Sequence, residues 1–289
     1  MLMQGVDSEN SVKKIPANPL WKTRFKSYAF AEDIEKSLQA SFMDAENLLQ
    51  QSKIVKNSRS TAAGIFRLNG IDYFIKRSNA DNLFAQLRRI GSISRARRNY
   101  LMAQELEKIG VLTPKVYMAL DTCPYKLPGT SYLITQCFPG RITVAGNMVP
   151  LREFFGSNEK FISELCRLAC KLHNNGIEHG DFKITNVLAV KDGEGKFQLG
   201  VFDLDGCKKY AAGVPENIRC RELARVASAY FIMSYNLGFY ENADEMENRK
   251  LFLQSYAEHG GGDLSRNQDF HRRMEKFFAD DMKHRTRND

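Results

Sequence analysis

The sequence has little that would tie the chain to a structural metal, an oxidising compartment or a membrane span. Its six cysteines, Cys123, Cys137, Cys166, Cys170, Cys207 and Cys220, include no Cys-x-x-Cys pair and no His/Cys metal spacing, which argues against a zinc module. No run approaches the length of a bilayer-spanning helix; the most apolar, 226–240, is interrupted by Ser228, Ser234 and Asn236. Lys13 and Lys14 are followed by no apolar stretch, so no secretory signal is visible. These absences predict a cytoplasmic chain with reduced thiols. Internal repeats and low-complexity segments are lacking too. The basic segments carry no aromatics at stacking intervals and match no nucleic-acid motif, which disfavours nucleic acid as a partner.

The 289 residues suffice for one large domain or two modest lobes, and a hydrophobic fraction of 43% supports a real core. A net charge of +8 and a pI near 9.1 call for an anionic partner. Acidic lipid and phosphorylated small molecules both meet that requirement.

Chemistry concentrates in residues 177–205. Ile177-Glu178-His179-Gly180-Asp181-Phe182-Lys183-Ile184-Thr185-Asn186 reads as a loop carrying His-x-Asp-x-Lys-x-x-Asn. Two short apolar runs follow, 187–190 and 197–202, joined by a segment that begins Asp192-Gly193, a hairpin signal. The second run ends in Asp203. Phosphoryl transfer from ATP needs this inventory. Asp181 would accept the proton of an attacking hydroxyl, and Lys183 would face the migrating phosphoryl group. Asn186 and Asp203 would offer oxygen ligands to Mg²⁺. The five-residue spacing lets one loop aim Asp181 and Asn186 into the same cleft, and the hairpin returns Asp203 to Asn186.

Upstream, residues 1–20 read as a polar arm. Phe30, Ile34, Leu38, Phe42, Ala45 and Leu49 recur at helical spacing, predicting an amphipathic helix. Its acidic face (Glu32, Asp33, Glu35, Asp44, Glu46) favours packing on the protein body over lying on an anionic bilayer. Strands are expected at 53–57, 64–68 and 73–76, with Asn69-Gly70 as a hairpin turn. Ser58–Gly64 reads as a loop of small and hydroxyl residues in which Ser60 and Thr61 could approach phosphates. Lys76 ends its strand, as does the lysine that holds the α- and β-phosphates in kinase folds. Residues 81–109 should form a helix broken near Gly91-Ser92. Arg88, Arg89, Arg95, Arg97 and Arg98 lie within it, giving either a solvated face or a site for an anionic substrate or membrane leaflet. Strands follow at 113–120 and 131–135. The second runs into Gln136-Cys137-Phe138-Pro139-Gly140, which suits an inter-lobe hinge where Gln136 and Phe138 border an adenine. Helices are expected at 161–174, stopped by Gly176, and at 221–237.

With these stretches in order, the chain resembles the protein-kinase-like fold. More narrowly, it is similar to the bacterial lipopolysaccharide-core sugar kinases, the Kdo and heptose kinase family. The narrower likeness rests on Ser58-Arg59-Ser60-Thr61, Tyr73-Phe74-Ile75-Lys76-Arg77, Ile109–Pro114, His179-Gly180-Asp181 and Phe202-Asp203-Leu204-Asp205-Gly206. It implies an α+β fold with a small antiparallel-sheet N-lobe (51–135) and a mostly helical C-lobe (136–289), preceded by the arm and helix of 1–50. It also implies ATP with Mg²⁺, and phosphorylation of a heptose or Kdo hydroxyl of the inner core at the inner face of the cytoplasmic membrane. Lys76 would hold the α/β-phosphates, Asp181 would be the base, and Asn186 and Asp203 would bind metal.

Three departures bear on this. The glutamate that kinases pair with the strand lysine falls near Asn99, with Glu105 as an alternative partner. Asp205 stands where protein kinases place glycine. Gly180 replaces the arginine that docks a phosphorylated activation loop, no Ala-Pro-Glu follows Asp203, and 84 residues (289 − 205) remain after Asp205. That remainder suits a small or lipid-linked alcohol better than a peptide substrate. A kinase of another small alcohol or of protein Ser/Thr, and a nucleotide-binding pseudokinase, are the competing readings.

Overall fold

The structure is a computed structural model that describes residues 21–22, 26–79, 93–122, 129–138, 143–238 and 245–285. By Cα proximity the chain divides into two units, one formed by 15–108 with 113–139 and the other containing 109–112 and 140–289. The arm at 1–20, Arg88, Arg89, Cys123, Pro139 and Gly140 lie outside the described residues.

The first unit is built on a seven-stranded antiparallel sheet. Its strands are β1 (Trp21–Lys22), β2 (Lys26–Phe30), β3 (Lys53–Asn57), β4 (Thr61–Leu68), β5 (Ile71–Ser78), β6 (Val116–Thr122) and β7 (Ser131–Gln136), in the spatial order β1-β2-β6-β7-β5-β4-β3. Helices α1 (Lys36–Phe42) and α2 (Ala45–Gln51) cover one face. There Phe42, Ala45 and Leu49 pack with Phe66, Tyr73, Ile75, Met118, Leu120 and Ile134. Helix α3 (Arg95–Lys108) packs on β6 and β7.

The continuous helix expected from Phe30 to Leu49 is therefore corrected. Phe30 ends β2, paired with Met118, because ladder pairing there outweighs the helical periodicity. The remainder breaks at Asp44, whose φ of −94° and ψ of 45° are not helical. The break lets both short helices turn their apolar residues toward the sheet. Residues 26–51 consequently belong to the sheet unit rather than to a separate N-terminal segment ending at 50. The Asn69-Gly70 turn is present, with φ values of 52° and 80°, the left-handed pair of a type I′ hairpin. Strand β4 begins at Thr61 rather than Gly64, so the expected loop shrinks to Ser58–Ser60. Gly64 serves packing: a Cβ there would lie 1.9 Å from Ser52 Oγ.

The second unit is mostly helical. It contains α4 (Met148–Phe155), α5 (Asn158–Asn174), α6 (Glu216–Asn236), α7 (Glu245–Glu258) and α8 (Gln268–Arg285). Ser157 caps α5 by accepting the Lys160 N–H. Gly176, at φ 72°, ends it in the left-handed conformation. Two small ribbons complete the unit: β8 (Ile177–Glu178) with β11 (Lys208–Lys209), and β9 (Val187–Lys191) with β10 (Phe197–Val201). In the β9–β10 turn it is Gly195, not Gly193, that takes positive φ, while Asp192 Oδ1 accepts the N–H groups of Glu194 and Lys196. Residues 109–112 join this unit because Val201 N–H donates to Leu112 O at 2.9 Å. Gly200 permits that approach, since a Cβ there would sit 2.1 Å from the same oxygen. No described helix is long and apolar enough to cross a membrane.

Candidate active site

Helix α5 delivers the chain through Gly176 and β8 to His179-Gly180-Asp181. Residues there alternate between anchor and reagent. Phe182 and Ile184 are buried in the unit's core, whereas the Asp181 and Lys183 side chains are 32% and 37% exposed. Burying the even positions turns the odd ones toward solvent.

Both Asp181 oxygens are engaged. Lys183 Nζ lies 3.1 Å from Oδ2, and Asn186 Nδ2 donates to Oδ2 at 2.9 Å and to the Asp181 carbonyl at 3.0 Å. Arg225, on α6, places Nη2 2.6 Å from Oδ1. Asn186 is buried, and committing its Nδ2 to Asp181 leaves its amide oxygen as the acceptor end. The hairpin returns the chain as expected: Phe202 N–H donates to Asn186 O at 3.2 Å. The next residue, Asp203, has φ 59° and ψ 60°. It and Asn69 are the non-glycine residues with positive φ among those described. A left-handed aspartate costs on the order of 1–2 kcal/mol, and it directly follows the residue whose N–H meets Asn186 O. Asp205 sits two residues on, in the tight turn Leu204–Gly206.

The loop is held from behind by Glu222, also on α6 and 2% exposed. Its carboxylate accepts the His179 N–H at 3.0 Å and the Gly180 N–H at 2.5 Å, and it meets His173 Nε2 at 3.1 Å. Burial alone would raise its pKa, but the His173 contact and the His179 N–H outweigh that and hold it below the usual glutamate value. His173 Nδ1 in turn meets the Tyr256 hydroxyl at 2.6 Å. His179 accepts the Asp181 N–H on Nδ1 and gives its Nε2 proton to Phe202 O at 3.0 Å. Burial lowers its pKa, consistent with that neutral tautomer. Glu178, equally buried, gathers Arg221, Tyr210 and Lys208 and ties β8 to α6 and β11. Gly180 has its own reason for being glycine. Its φ is 84°, and a Cβ would lie 2.5 Å from Gly206 O.

In the sheet unit, Lys76 stands on β5 between Ala63 and Leu133 of the flanking strands. Strand alternation points it to the face opposite Tyr73 and Ile75. Its neighbour Arg77 turns the other way, to an ion pair with Glu46 at 2.8 Å that Tyr132 joins through its hydroxyl. Ser60 is exposed in the β3–β4 turn, and its carbonyl accepts the Asn79 N–H. Thr61 is buried as the first residue of β4, paired with Ser78. Gln136 ends β7, donating its N–H to Lys115 O at 2.8 Å, and Phe138 is half-buried just beyond. Asn99 donates to Arg95 O within its own helix, and Glu105 pairs with Lys108 at 2.8 Å. Arg97 is half-buried, and desolvation lowers its pKa. It is therefore not part of a fully solvated basic face.

Sequence reasoning did not single out Arg225 or Glu222. The available signal was the cluster Arg221, Glu222 and Arg225 within a helix otherwise rich in apolar residues, since charged side chains are seldom buried without a partner that requires them.

A mixed α+β chain with an antiparallel sheet unit, a helical unit and an Asp-x-Lys-x-x-Asn loop followed by a hairpin aspartate has a protein-kinase-like fold. Among solved structures it is similar to one described as "WaaP in complex with acyl carrier protein", at 18% identity and a TM-score of 0.58, covering 87% of this chain and 99% of that one. A Rio2 kinase–ADP/Mg²⁺–phosphoaspartate complex from Chaetomium thermophilum is also matched, at 11% identity and a TM-score of 0.44, covering 85% of this chain and 75% of that one. No curated protein sequence matches. The model of the lipopolysaccharide kinase (Kdo/WaaP) family matches residues 44–241, more than half of the chain. The protein belongs to that family and is a kinase.

Proposed function

We propose that the protein transfers the γ-phosphoryl group of ATP to a heptose or Kdo hydroxyl of the lipopolysaccharide inner core, at the inner face of the cytoplasmic membrane. The observation that carries this reading is the Asp181–Lys183–Asn186 cluster, in a member of a lipopolysaccharide kinase family.

Asp181 takes the acceptor's proton as the acceptor oxygen bonds to phosphorus. The bond from that phosphorus to the bridging oxygen breaks, leaving its electron pair on ADP. Lys183 faces the charge that passes between them. Asn186 and Asp203 fit a magnesium ion, since both offer hard oxygen donors. Among the described residues no group of three or more His, Cys, Asp or Glu side chains could hold a metal. An ion here would thus share its coordination with nucleotide phosphates and water, as Mg²⁺ does in phosphoryl-transfer sites. When bound, magnesium neutralises charge on the phosphates. Lys76, with Ser60 in the β3–β4 turn and Thr61 at the start of β4, would hold the nucleotide's phosphates, and Gln136 and Phe138 its base.

Incubating the protein with labelled ATP, Mg²⁺ and defined inner-core oligosaccharides, then mapping the phosphate, tests the reading. Label on a heptose or Kdo hydroxyl supports it. Label only on an unrelated alcohol or on protein Ser/Thr contradicts the acceptor assignment.

A further inference from the structure

As it stands in this structure, Asp181 cannot receive an acceptor hydroxyl. A carboxylate offers about four lone-pair positions. Those of Oδ2 are taken by Lys183 and Asn186. Oδ1 is closed to solvent, with Arg225 Nη2 set 2.6 Å away in a direction that makes an ion contact but not a hydrogen bond. The base is covered, and the group covering it is misaligned. Arg225 has somewhere else to be. Its side chain is 38% exposed, and its guanidinium already lies 5.8 Å from the centre of the Phe277 ring, within cation–π range. Whatever uncovers Oδ1 must offer a guanidinium a better partner than this contact. Anions that accept two parallel N–H bonds, carboxylate and phosphate, are the groups that do so.

We infer that Arg225 is an acceptor-recognition residue that caps the base, and that the acceptor carries an anionic group beside the hydroxyl to be phosphorylated. This deepens the functional reading above and rests on it. The acceptor's anion draws Arg225 from Oδ1, so the hydroxyl and the exposed base arrive together. Without acceptor the cap keeps water from Asp181 Oδ1. The proton and phosphoryl balance is that given above, and Arg225 changes only when Asp181 is open.

The test compares wild type, Arg225→Gln and Arg225→Lys on three acceptors: an inner-core oligosaccharide, the same compound with its carboxyl groups reduced to alcohols, and the same compound dephosphorylated. ATP hydrolysis without acceptor is measured alongside. One charge-assisted bidentate pair is worth roughly 10–100-fold, and wild type should prefer the native acceptor by that factor, chiefly in KM. The modified acceptor that loses the preference identifies the anion as carboxylate or phosphate. Arg225→Gln should abolish the preference and raise acceptor-free hydrolysis, while Arg225→Lys should keep part of both behaviours. Equal turnover of all three acceptors by wild type overturns the inference whether or not the variants fold. So does an equal loss on every acceptor in Arg225→Gln. If wild type phosphorylates no core acceptor, the functional reading fails separately. The cap is then judged on hydrolysis alone, where a rise in Arg225→Gln upholds it and no rise overturns it.

Discussion

Glu222 accepts the backbone N–H of Gly180 at 2.5 Å, across 42 residues of sequence. With the His179 N–H on its other oxygen, this buried carboxylate fixes the peptide from which Asp181 projects. Glu222→Gln keeps the size but turns an amide NH₂ toward one of those donors. Leaving a buried donor without an acceptor costs about 1–3 kcal/mol, more where charge is involved. Urea unfolding should show a loss of roughly 2–4 kcal/mol, with kcat falling more than nucleotide affinity. An unchanged midpoint would remove Glu222 from this role.

Acidification should loosen the same loop. His179 has a pKa lowered by burial, so below its ordinary value of 6.5 the unfolded chain takes up a proton that the folded chain refuses, and stability falls with pH. Glu222, also lowered, contributes stability that is complete above its ordinary value of 4.5 and lost as pH falls through its folded pKa. Thermal unfolding from pH 8 to 4 should show a first decline beginning near 6.5, reduced in His179→Asn. A flat profile down to pH 5 contradicts the buried neutral histidine.

Gly180→Ala should be severe. The residue has φ 84°, and the added methyl would meet Gly206 O at 2.5 Å, with backbone on both sides. We expect a loss of at least ~2 kcal/mol from strain and clash together, and activity close to background. By contrast, Gly193→Ala in the β9–β10 turn has nothing within 4 Å of its Cβ, and both properties should stay near wild type. Equal effects at the two glycines would refute the close approach of the two loops.

The features most legible in the sequence were local ones. Asp181, Lys183 and Asn186 lie in one loop, the hairpin that follows is short, and Asn69-Gly70 states its own turn. Packing decided the rest. Phe30 fits a helical period as well as Leu49 does, and only pairing with Met118 across the sheet assigns it to a strand. Thr61–Gly64 looks like a loop because its residues are small, yet small residues are what a closely packed strand needs beside Ser52. Glu222 and Arg225 reach the loop from α6, more than 40 positions beyond Asp181, and no spacing rule connects elements so far apart. The Glu46–Arg77–Tyr132 cluster is equally non-local.

The most direct test of the account is transfer of label from [γ-³²P]ATP to inner-core oligosaccharide by wild type and Asp181→Asn, measured together with nucleotide affinity. The account predicts a kcat lower by about 10²–10⁴-fold in the variant, the usual contribution of a general base, with ATP binding little changed. Wild-type turnover by Asp181→Asn would contradict it.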